Sequence, residues 1–226
     1  MGTTTAEAAL LESLLMNTLT LPVGALQANC YLVWDDENQA CLVDPGGEAE
    51  RVVKAVTARG LSLQAVLVTH GHFDHVEGVA GVAEATGAKV YCSEAAARVV
   101  EGGAGCAATG LPVPTLTDGQ VVVVGQGFEL LVGSLRVKAV STPGHTPGDI
   151  TFDINGALFC GDLLFQGSVG RTDFPGGDFQ QLLESVRRLK EQYPRETLIY
   201  PGHMDGTTLG EELDRNPFLR ELRGDG

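Results

Sequence analysis

Apolar positions along the chain fall into many short runs separated by turn residues, and this pattern predicts a mixed fold of strands and helices. Short apolar or alternating runs are typical of strands, whereas apolar positions three and four residues apart indicate helices. The predicted strands are 18–23, 29–34, 40–43, 64–69, 88–92, 120–124, 128–132, 135–140, 149–154, 157–160 and 197–200. The predicted helices are 6–16, 48–59, 75–86, 93–100, 178–193 and 207–222, and the predicted long loop is 102–119.

Each half of the chain gives a series of strands followed by a helix, and this repeated order predicts the architecture. Two β-meanders that carry external helices favour an α/β fold in four layers, a helix–sheet–sheet–helix sandwich. No repeat with a period of about 20–50 residues and no linker-like segment interrupts the pattern. We therefore expect one domain over residues 17–226, preceded by an N-terminal extension over residues 1–16.

Composition and charge exclude several classes of protein. Hydrophobic residues make up 43% of the 226 residues and charged residues 19%, which excludes a disordered chain. The formal net charge of −14 would repel phosphate backbones and anionic lipids. No apolar run approaches the ~18 residues of a membrane span. We therefore expect neither nucleic acid nor a membrane among the partners.

Cysteine usage and the N-terminal segment indicate the compartment. The five Cys are an odd number without a C-x-x-C pair, and most lie in apolar runs, as expected for buried free thiols in a reducing compartment. No Lys or Arg precedes Arg51, and Glu7 and Glu12 interrupt the first apolar stretch. These features argue against a signal peptide and against a mitochondrial presequence. We therefore expect a cytoplasmic protein.

All five histidines lie in loops that directly follow predicted buried strands. Such loops can aim side chains from separate parts of the chain at one point. His70 and His72 are two residues apart, so in an extended backbone they point the same way and can bind one ion. Asp74 and His75 open the next predicted helix, and Asp162 follows another apolar run. The remaining histidines are His145 and His203.

These side chains are donors that divalent transition metals prefer. Neutral imidazole and carboxylate suit Zn, Fe or Mn, and no thiolate is placed to select a structural zinc site. Seven such donors are too many for one tetrahedral ion, but they suit two ions that share a bridging carboxylate. Two neighbouring ions would lower the pKa of a water between them toward ~7. A structural or storage site is the alternative, although structural zinc sites are usually rich in Cys.

The arrangement of these donors resembles a known family. The motif H-x-H-x-D-H at 70–75, with His145, Asp162 and His203 in their flanking sequences, resembles the metallo-β-lactamase superfamily. The similarity covers residues 17–222. It implies the metallo-β-lactamase fold, which is itself a four-layer helix–sheet–sheet–helix sandwich.

Two further segments narrow the resemblance to one group of this superfamily. Residues 161–165 and 170–178 are similar to the glyoxalase II group, the hydroxyacylglutathione hydrolases. The long form of that group carries a helical C-terminal domain after its last ligand, whereas 23 residues follow His203 in this sequence. The long form also binds glutathione through Lys and Tyr in the loop after the bridging Asp, where this sequence has Gly-Arg-Thr-Asp at 170–173. The short form is therefore the better match.

The resemblance implies a two-metal centre with a bridging carboxylate. Asp162 would bridge the ions together with a hydroxide, and the catalytic role of Asp74 would be to orient that hydroxide. Two divalent ions are therefore the expected cofactors, with Zn the first candidate and Fe or Mn the alternatives. The first ion would be held by His70, His72 and His145, and the second by Asp74, His75 and His203.

Two further residues are candidates outside the metal-binding set. Asp44 ends a predicted strand beside the histidine loop, where it could orient a metal ligand or simply cap a turn. Arg171 is one of few basic residues near the expected site, and it could bind a substrate carboxylate or form a surface ion pair with Asp173. The sequence leaves both alternatives open for each residue.

The resemblance implies a hydrolase that cleaves a thioester by attack of the metal-bridging hydroxide, with the glutathione conjugate S-lactoylglutathione as the leading substrate. A thiol leaving group, with a pKa near ~8.5, needs no strong general acid, and this suits a site in which every histidine binds metal. One alternative is a persulfide dioxygenase, a related class that shares the Gly-Arg-Thr-Asp-Phe segment and binds a single iron through two His and a carboxylate. The matching residues are His70 or His72, His145 and Asp162. A metal-binding protein without catalytic activity is the other alternative.

Overall fold

The computed structural model describes residues 16–102, 114–116 and 119–224. The predicted N-terminal extension, apart from Met16, and most of the predicted loop 102–119 lie outside the described residues. Within the described ranges, no helix combines the length and the apolar character that crossing a bilayer requires.

Strands and helices follow one another closely along the chain, and every predicted strand is present with its ends shifted by at most a residue or two. The strands of the described ranges are β1 (Asn17–Val23), β2 (Ala28–Trp34), β3 (Gln39–Val43), β4 (Ser62–Leu67), β5 (Lys89–Cys92), β6 (Val121–Val123), β7 (Glu129–Val132), β8 (Leu135–Ser141), β9 (Ile150–Ile154), β10 (Ala157–Gly161), β11 (Leu164–Phe165), β12 (Ser168–Val169), β13 (Leu198–Pro201) and β14 (Thr207–Thr208). The helices are α1 (Ala49–Thr57), α2 (Phe73–Val76), α3 (Val79–Thr86), α4 (Glu94–Gly102), α5 (Phe179–Gln192), α6 (Leu209–Arg215) and a 3-10 segment at Pro217–Gly224.

Two six-stranded sheets make up the centre of the molecule. The first has the order β1-β2-β3-β4-β5-β6, with antiparallel pairing as far as β3 and parallel pairing from β3 to β6. The second has the order β14-β13-β10-β9-β8-β7, in which β10 and β13 are parallel and the other neighbours are antiparallel. A separate hairpin, β11–β12, follows β10. Parallel neighbours bring their carboxyl ends to one edge of a sheet, and loops that bear functional groups collect there.

Buried side chains form three layers, one between the sheets and one on each outer face. Val33, Leu67 and Phe152 belong to the layer between the sheets. Successive residues of a strand point to opposite faces, so Leu32 instead packs with Val52 of α1 on the outer face of the first sheet. The outer face of the second sheet packs against α5 and α6 through Leu158, Ile199, Leu182, Leu189 and Leu213. The predicted α/β sandwich of four layers, helix–sheet–sheet–helix, is therefore confirmed.

The predicted helix 75–86 is wrong in its start and in its continuity. The structure has a one-turn helix, α2, that begins at Phe73, then a break at Gly78, and α3 from Val79. At the break, the N–H of Gly78 donates to the carbonyl oxygen of Pro45 at 2.9 Å, and a Cβ on Gly78 would come within 2.6 Å of the same oxygen. A contact with the loop after β3 therefore decides where the helix breaks, and the local spacing of apolar residues carries no sign of it.

The predicted helix 207–222 is also divided. Its first two residues form β14, α6 ends at Arg215, and Asn216 is extended before Pro217 begins the 3-10 segment. A residue that precedes proline is disfavoured in the helical region, which explains this break. The β11–β12 hairpin is an element that the sequence pattern did not predict, because two-residue strands are too short to show a period.

The four cysteines in the described ranges are free and buried, as the sequence predicts. Burial raises the pKa of the Cys41, Cys92 and Cys160 thiols to about 12, so these side chains are neutral thiols at physiological pH. They act as small apolar core residues. Cys106 lies outside the described residues.

The close contact between Gly46 and the histidine loop gives a test of this packing. A Cβ at Gly46 would overlap the carbonyl oxygen of Asp74 and lie 3.1 Å from the Cα of His75. We expect Gly46→Ala to lower the free energy of unfolding by at least about 1–3 kcal/mol, because backbone atoms must move to relieve the overlap. Gly125→Ala is the control, since a Cβ there meets nothing within 4 Å. Denaturant titration measures both variants, and equal stabilities would contradict the packing described.

Candidate metal centre

All seven residues predicted as metal ligands lie in one cluster, at strand ends of both sheets. The first sheet supplies the segment 70–75 after β4, and the second sheet supplies His145 after β8, Asp162 after β10 and His203 after β13. Backbone hydrogen bonds join the two sheets at this edge. One of them is the bond from the N–H of Ile150 to the carbonyl oxygen of Thr69, at 2.9 Å.

The first group of donors consists of three histidines whose ring nitrogens converge. The Nδ1 atom of His72 lies 3.1 Å from Nε2 of His70 and 2.8 Å from Nε2 of His145. One donor atom from each of the three lies within 4.8 Å of the other two. His70 and His145 are buried and His72 is half-buried. Three imidazole nitrogens at these separations have the spacing of ligands around one ion.

The second group consists of Asp74, His75 and His203, whose donor atoms also lie within 4.8 Å of one another. The Oδ2 atom of Asp74 is 3.3 Å from Nε2 of His203 and 3.7 Å from Nε2 of His75. Asp74 and His75 are buried at the start of α2, whereas the side chain of His203 is 24% exposed. His203 is therefore the member of this group that lies nearest to solvent.

Asp162 lies between the two groups and faces both. Its Oδ2 atom is 3.6 Å from Nε2 of His145 in the first group and 3.7 Å from Nε2 of His203 in the second. Its Oδ1 atom is 3.3 Å from Nε2 of His75. One carboxylate is therefore in reach of both groups, which is the arrangement that the family resemblance implies for a shared ligand.

A third carboxylate, Asp44, orients a histidine in each group from behind. Its Oδ2 atom accepts hydrogen bonds from Nδ1 of His75 at 2.9 Å and from the hydroxyl of Thr69 at 2.6 Å, while Oδ1 accepts from the Thr69 N–H at 2.8 Å. The Thr69 hydroxyl oxygen lies 3.0 Å from Nδ1 of His70. Because the hydroxyl donates its own hydrogen to Asp44, this oxygen accepts a hydrogen bond from the Nδ1–H of His70. Both Nδ1 atoms therefore carry hydrogen, which leaves Nε2 of each ring facing the site.

His145 is oriented in the same way by the backbone. Its Nδ1 atom lies 2.6 Å from the carbonyl oxygen of Arg171, which can only accept a hydrogen bond. The proton therefore resides on Nδ1, and Nε2 presents a lone pair toward His72 and Asp162. This contact also ties the loop after β12 to the centre.

The electrostatics favour the metal-binding protonation states of His70, His72 and Asp162. Burial, together with His75, lowers the pKa of His70 well below its ordinary value, and burial with His145 lowers that of His72 to about 4. Burial alone would raise the pKa of Asp162, but the neighbouring His75 and His145 lower it below its ordinary value. Neutral imidazoles and an ionised carboxylate are the forms that bind metal.

The polar atoms that face the centre fit a divalent cation. Nε2 of His75 and Oδ1 of Asp162 are fully buried and lie 3.3 Å apart, but neither atom makes a hydrogen bond to any described residue. Buried polar atoms without partners are costly, by about 1–3 kcal/mol or more when charged. Burial would lower the pKa of His75, yet Asp162 and Asp44 raise it well above its ordinary value, so a positive charge is favoured between these carboxylates. A metal ion would supply that charge and would engage both atoms.

Arg171 lies beside the centre but is already paired. Its guanidinium donates to both carboxylate oxygens of Asp173, at 2.7 and 2.8 Å, and stacks 3.7 Å above the ring of Phe174. The ring of Phe174 is edge-on to His72, with 5.9 Å between ring centroids. The surface ion pair considered in the sequence analysis is therefore present, and it holds the one cation of this loop near the first group.

Thr69 is a site residue that sequence reasoning missed. Its hydroxyl connects Asp44 to His70, and its backbone N–H also binds Asp44. The sequence does contain a signal for Thr69, because this residue directly precedes His70 at the end of a buried apolar run. A hydroxyl group at such a position has few possible partners other than site residues. Asp44 itself accepts hydrogen bonds from Thr69 and His75, which favours the orienting role over the turn cap.

Comparison with known proteins places the chain and its fold in one family. The chain matches the Metallo-beta-lactamase superfamily over residues 23–203, and it belongs to that superfamily. It is 36% identical over 217 residues to the hydroxyacylglutathione hydrolase GloC of Haemophilus influenzae. The alignment covers 90% of this chain and 98% of that protein. The resemblance that the motifs indicate, to this superfamily and to its glyoxalase II group, is therefore confirmed.

Solved structures agree with this assignment. The crystal structure of the BLEG-1 B3 metallo-beta-lactamase has a TM-score of 0.82 and 34% identity, and it covers 90% of this chain and 100% of that chain. The crystal structure of TTHA1623 in a di-iron-bound form has a TM-score of 0.78 and 41% identity, covering 89% and 100% respectively. The fold implies divalent metal ions, in agreement with the donor clusters.

The bonds of Asp44 to both groups predict that its substitution weakens metal binding at both. We expect Asp44→Asn to lower the affinity for Zn²⁺ by about 10- to 100-fold, because the amide cannot accept all of the hydrogen bonds that orient His70 and His75. Titration of metal-free protein with Zn²⁺ against a chromophoric chelator measures the change.

The matched control is Asp35→Asn, in the turn between β2 and β3. Asp35 is also a buried carboxylate, and it accepts backbone hydrogen bonds from Gln39 and Ser134 at 2.8 Å. This substitution should lower stability without changing metal affinity. Equal losses of affinity in the two variants would mean that general destabilisation, and not ligand orientation, is responsible.

Proposed function

We propose that the protein is a dinuclear metal-dependent hydrolase that cleaves a thioester, with S-lactoylglutathione as the leading substrate and lactate and glutathione as the products. The observation that carries this proposal is the division of the donors into two groups with Asp162 facing both. The identity to a protein named hydroxyacylglutathione hydrolase supports the choice of substrate.

The proposal assigns each donor to one of two metal positions. When bound, two divalent ions supply a hydroxide nucleophile at neutral pH and stabilise the negative charge that develops on the carbonyl oxygen. Asp162 would bind both ions, and Asp74 would also accept a hydrogen bond that orients the nucleophile. Zn is the first candidate for both positions, and Fe and Mn are the alternatives. The first position would be held by His70, His72 and His145, and the second by Asp74, His75 and His203.

The engagement of every histidine supports a thioester over an ester or an amide. All five histidines of the chain lie within the cluster, so none remains elsewhere as a general acid. A thiol has a pKa near ~8.5 and leaves without a strong acid, whereas an alcohol or an amine needs protonation. A thiolate leaving group is therefore the chemistry that this set of side chains serves best.

Arg171 is the proposed contact for a carboxylate of the substrate. Its guanidinium lies over Phe174, whose ring contacts His72, and it is more than half exposed. A substrate carboxylate would have to compete with Asp173 for the same donors, so the contact would be weak. The buried free cysteines support the cytoplasm, a reducing compartment, as the proposed location.

A persulfide dioxygenase is the second candidate. The first group of histidines with Asp162 could supply the two His and one carboxylate that such a mononuclear iron site needs. The complete second group favours the hydrolase, because a mononuclear enzyme makes no use of Asp74, His75 and His203 as ligands.

Metal content and substrate profile test the proposed function together. We expect protein purified without added metal to contain close to two equivalents of Zn, Fe or Mn, and to release thiol from S-lactoylglutathione in a thiol-trapping assay. One equivalent of iron with oxygen uptake on glutathione persulfide would establish the dioxygenase instead. Hydrolysis of a β-lactam without thioesterase activity would also overturn the proposal. A β-lactam is included as a test substrate because the chain is similar to a B3 metallo-beta-lactamase.

Substitution of Asp162 and substitution of Arg171 should lower the rate by different amounts. We expect Asp162→Ala to lower kcat/KM by more than ~100-fold, beyond the 10- to 100-fold typical of residues that only orient ligands. Arg171→Ala should lower it by less than about 10-fold, because its contacts are exposed to solvent. Steady-state kinetics on S-lactoylglutathione compares them. A larger loss for Arg171→Ala would show that substrate anchoring, and not assembly of the metal centre, limits the reaction.

A further inference from the structure

The position of His203 is set by its backbone loop. The polar contacts of its ring among the described residues are with Asp74 and Asp162, which both belong to the centre itself. The other ring with a ligand role in this group, His75, is oriented from behind by Asp44. For His203 the equivalent support must come from whatever holds the loop Pro201–Met204 in place.

That loop passes very close to the centre. A Cβ on Gly202 would overlap Oδ1 of Asp162 and lie 2.7 Å from Cε1 of His75. Met204, directly after the histidine, has a φ of +67°, a conformation that side chains other than glycine rarely adopt. Such a conformation costs about 1–3 kcal/mol and persists only where surrounding contacts hold it. A small displacement of the loop would therefore move His203 relative to its two carboxylate neighbours.

Asn29, on β2 of the other sheet, brackets this loop with three hydrogen bonds. Its backbone N–H donates to the carbonyl oxygen of Gly202 at 2.7 Å. Its side-chain Nδ2 donates to the carbonyl oxygens of Pro201, at 3.1 Å, and Met204, at 2.8 Å. The Asn29 side chain is buried, and of its two bonds the one to Pro201 is buried and the one to Met204 is partly buried.

We infer that Asn29 is a positioning residue for the second metal position. Its carboxamide fixes the backbone on both sides of His203, and so keeps the imidazole within reach of Asp74 and Asp162. The inference rests on the proposed two-metal function. It assigns a role to a residue from the opposite sheet that would not itself touch metal or substrate.

An amide at this position supplies two N–H donors on one short side chain, and these bond the carbonyl oxygens of Pro201 and Met204. A carboxylate has the same shape but only acceptor oxygens, which would face two further acceptors. Asn29→Ala removes both donors, and Asn29→Asp removes them while the volume of the side chain is retained.

Titration of the two metal equivalents separately tests the inference. Metal-free protein is titrated with Zn²⁺ against a chromophoric chelator, and circular dichroism verifies the fold. In both Asn29 variants we expect the first equivalent to bind as in the wild type and the second to bind about 10- to 100-fold more weakly. Retention of the second equivalent at wild-type affinity would overturn the inference. Equal weakening of both equivalents, or loss of the fold in both variants, would also overturn it, since the role would then be structural.

Tyr31→Phe is the matched control on the same strand. The Tyr31 hydroxyl also donates to the carbonyl oxygen of Pro201, at 2.6 Å, but Asn29 remains bonded to that oxygen and to Met204 when the hydroxyl is removed. The affinity for the second equivalent should therefore change much less than in the Asn29 variants, and an equal loss would contradict a specific role for Asn29. If the wild-type protein binds only one equivalent of Zn²⁺, the proposed two-metal function is wrong. This outcome is distinct from a failure of the inference about Asn29, which requires that the wild type binds two equivalents.

Discussion

The buried carboxylate of Asp44 is the interaction on which both halves of the metal centre depend. It binds His75 directly and reaches His70 through the hydroxyl of Thr69, so one charge sets the ring orientation of a histidine in each group. Its backbone has a φ of +48°, in a region that non-glycine residues avoid. A strained conformation of this kind is retained where surrounding bonds determine it, and those bonds belong here to the site.

The centre concentrates unlike groups at an edge where neither sheet alone could hold them. Two carboxylates and several imidazoles lie within a few ångströms, and Nε2 of His75 and Oδ1 of Asp162 lie buried 3.3 Å apart without a hydrogen bond. Hydrophobic layers on both sides fix the strands, so the side chains cannot separate to relieve this arrangement. A bound cation would engage these buried carboxylate and imidazole atoms, and this links the packing of the sandwich to metal chemistry.

Loops around the centre are supported by contacts that come from distant parts of the chain. The β11–β12 hairpin after Asp162 is held by the buried carboxylate of Glu212 on α6, which accepts hydrogen bonds from the N–H of Gly167 and from the side chain of Asn216. Phe165 of this hairpin is edge-on to His203, with 5.9 Å between ring centroids. The C-terminal helix therefore contributes to the shape of the site through the hairpin, without supplying a ligand.

Sequence alone determined the layers and the candidate metal ligands, because both depend on local signals. Apolar runs mark strands wherever they form, and histidines and carboxylates directly after such runs are visible one loop at a time. The break at Gly78 depends on Pro45, and the support of His203 depends on Asn29, a residue from the other sheet. Only the tertiary structure decided these features, since each is a contact between segments whose spacing along the chain carries no period. Asp44 combines the two cases. Its position at a strand end can be predicted from the sequence, but its role in orienting two histidines is decided by the fold, because the fold brings Thr69 and His75 into contact with it.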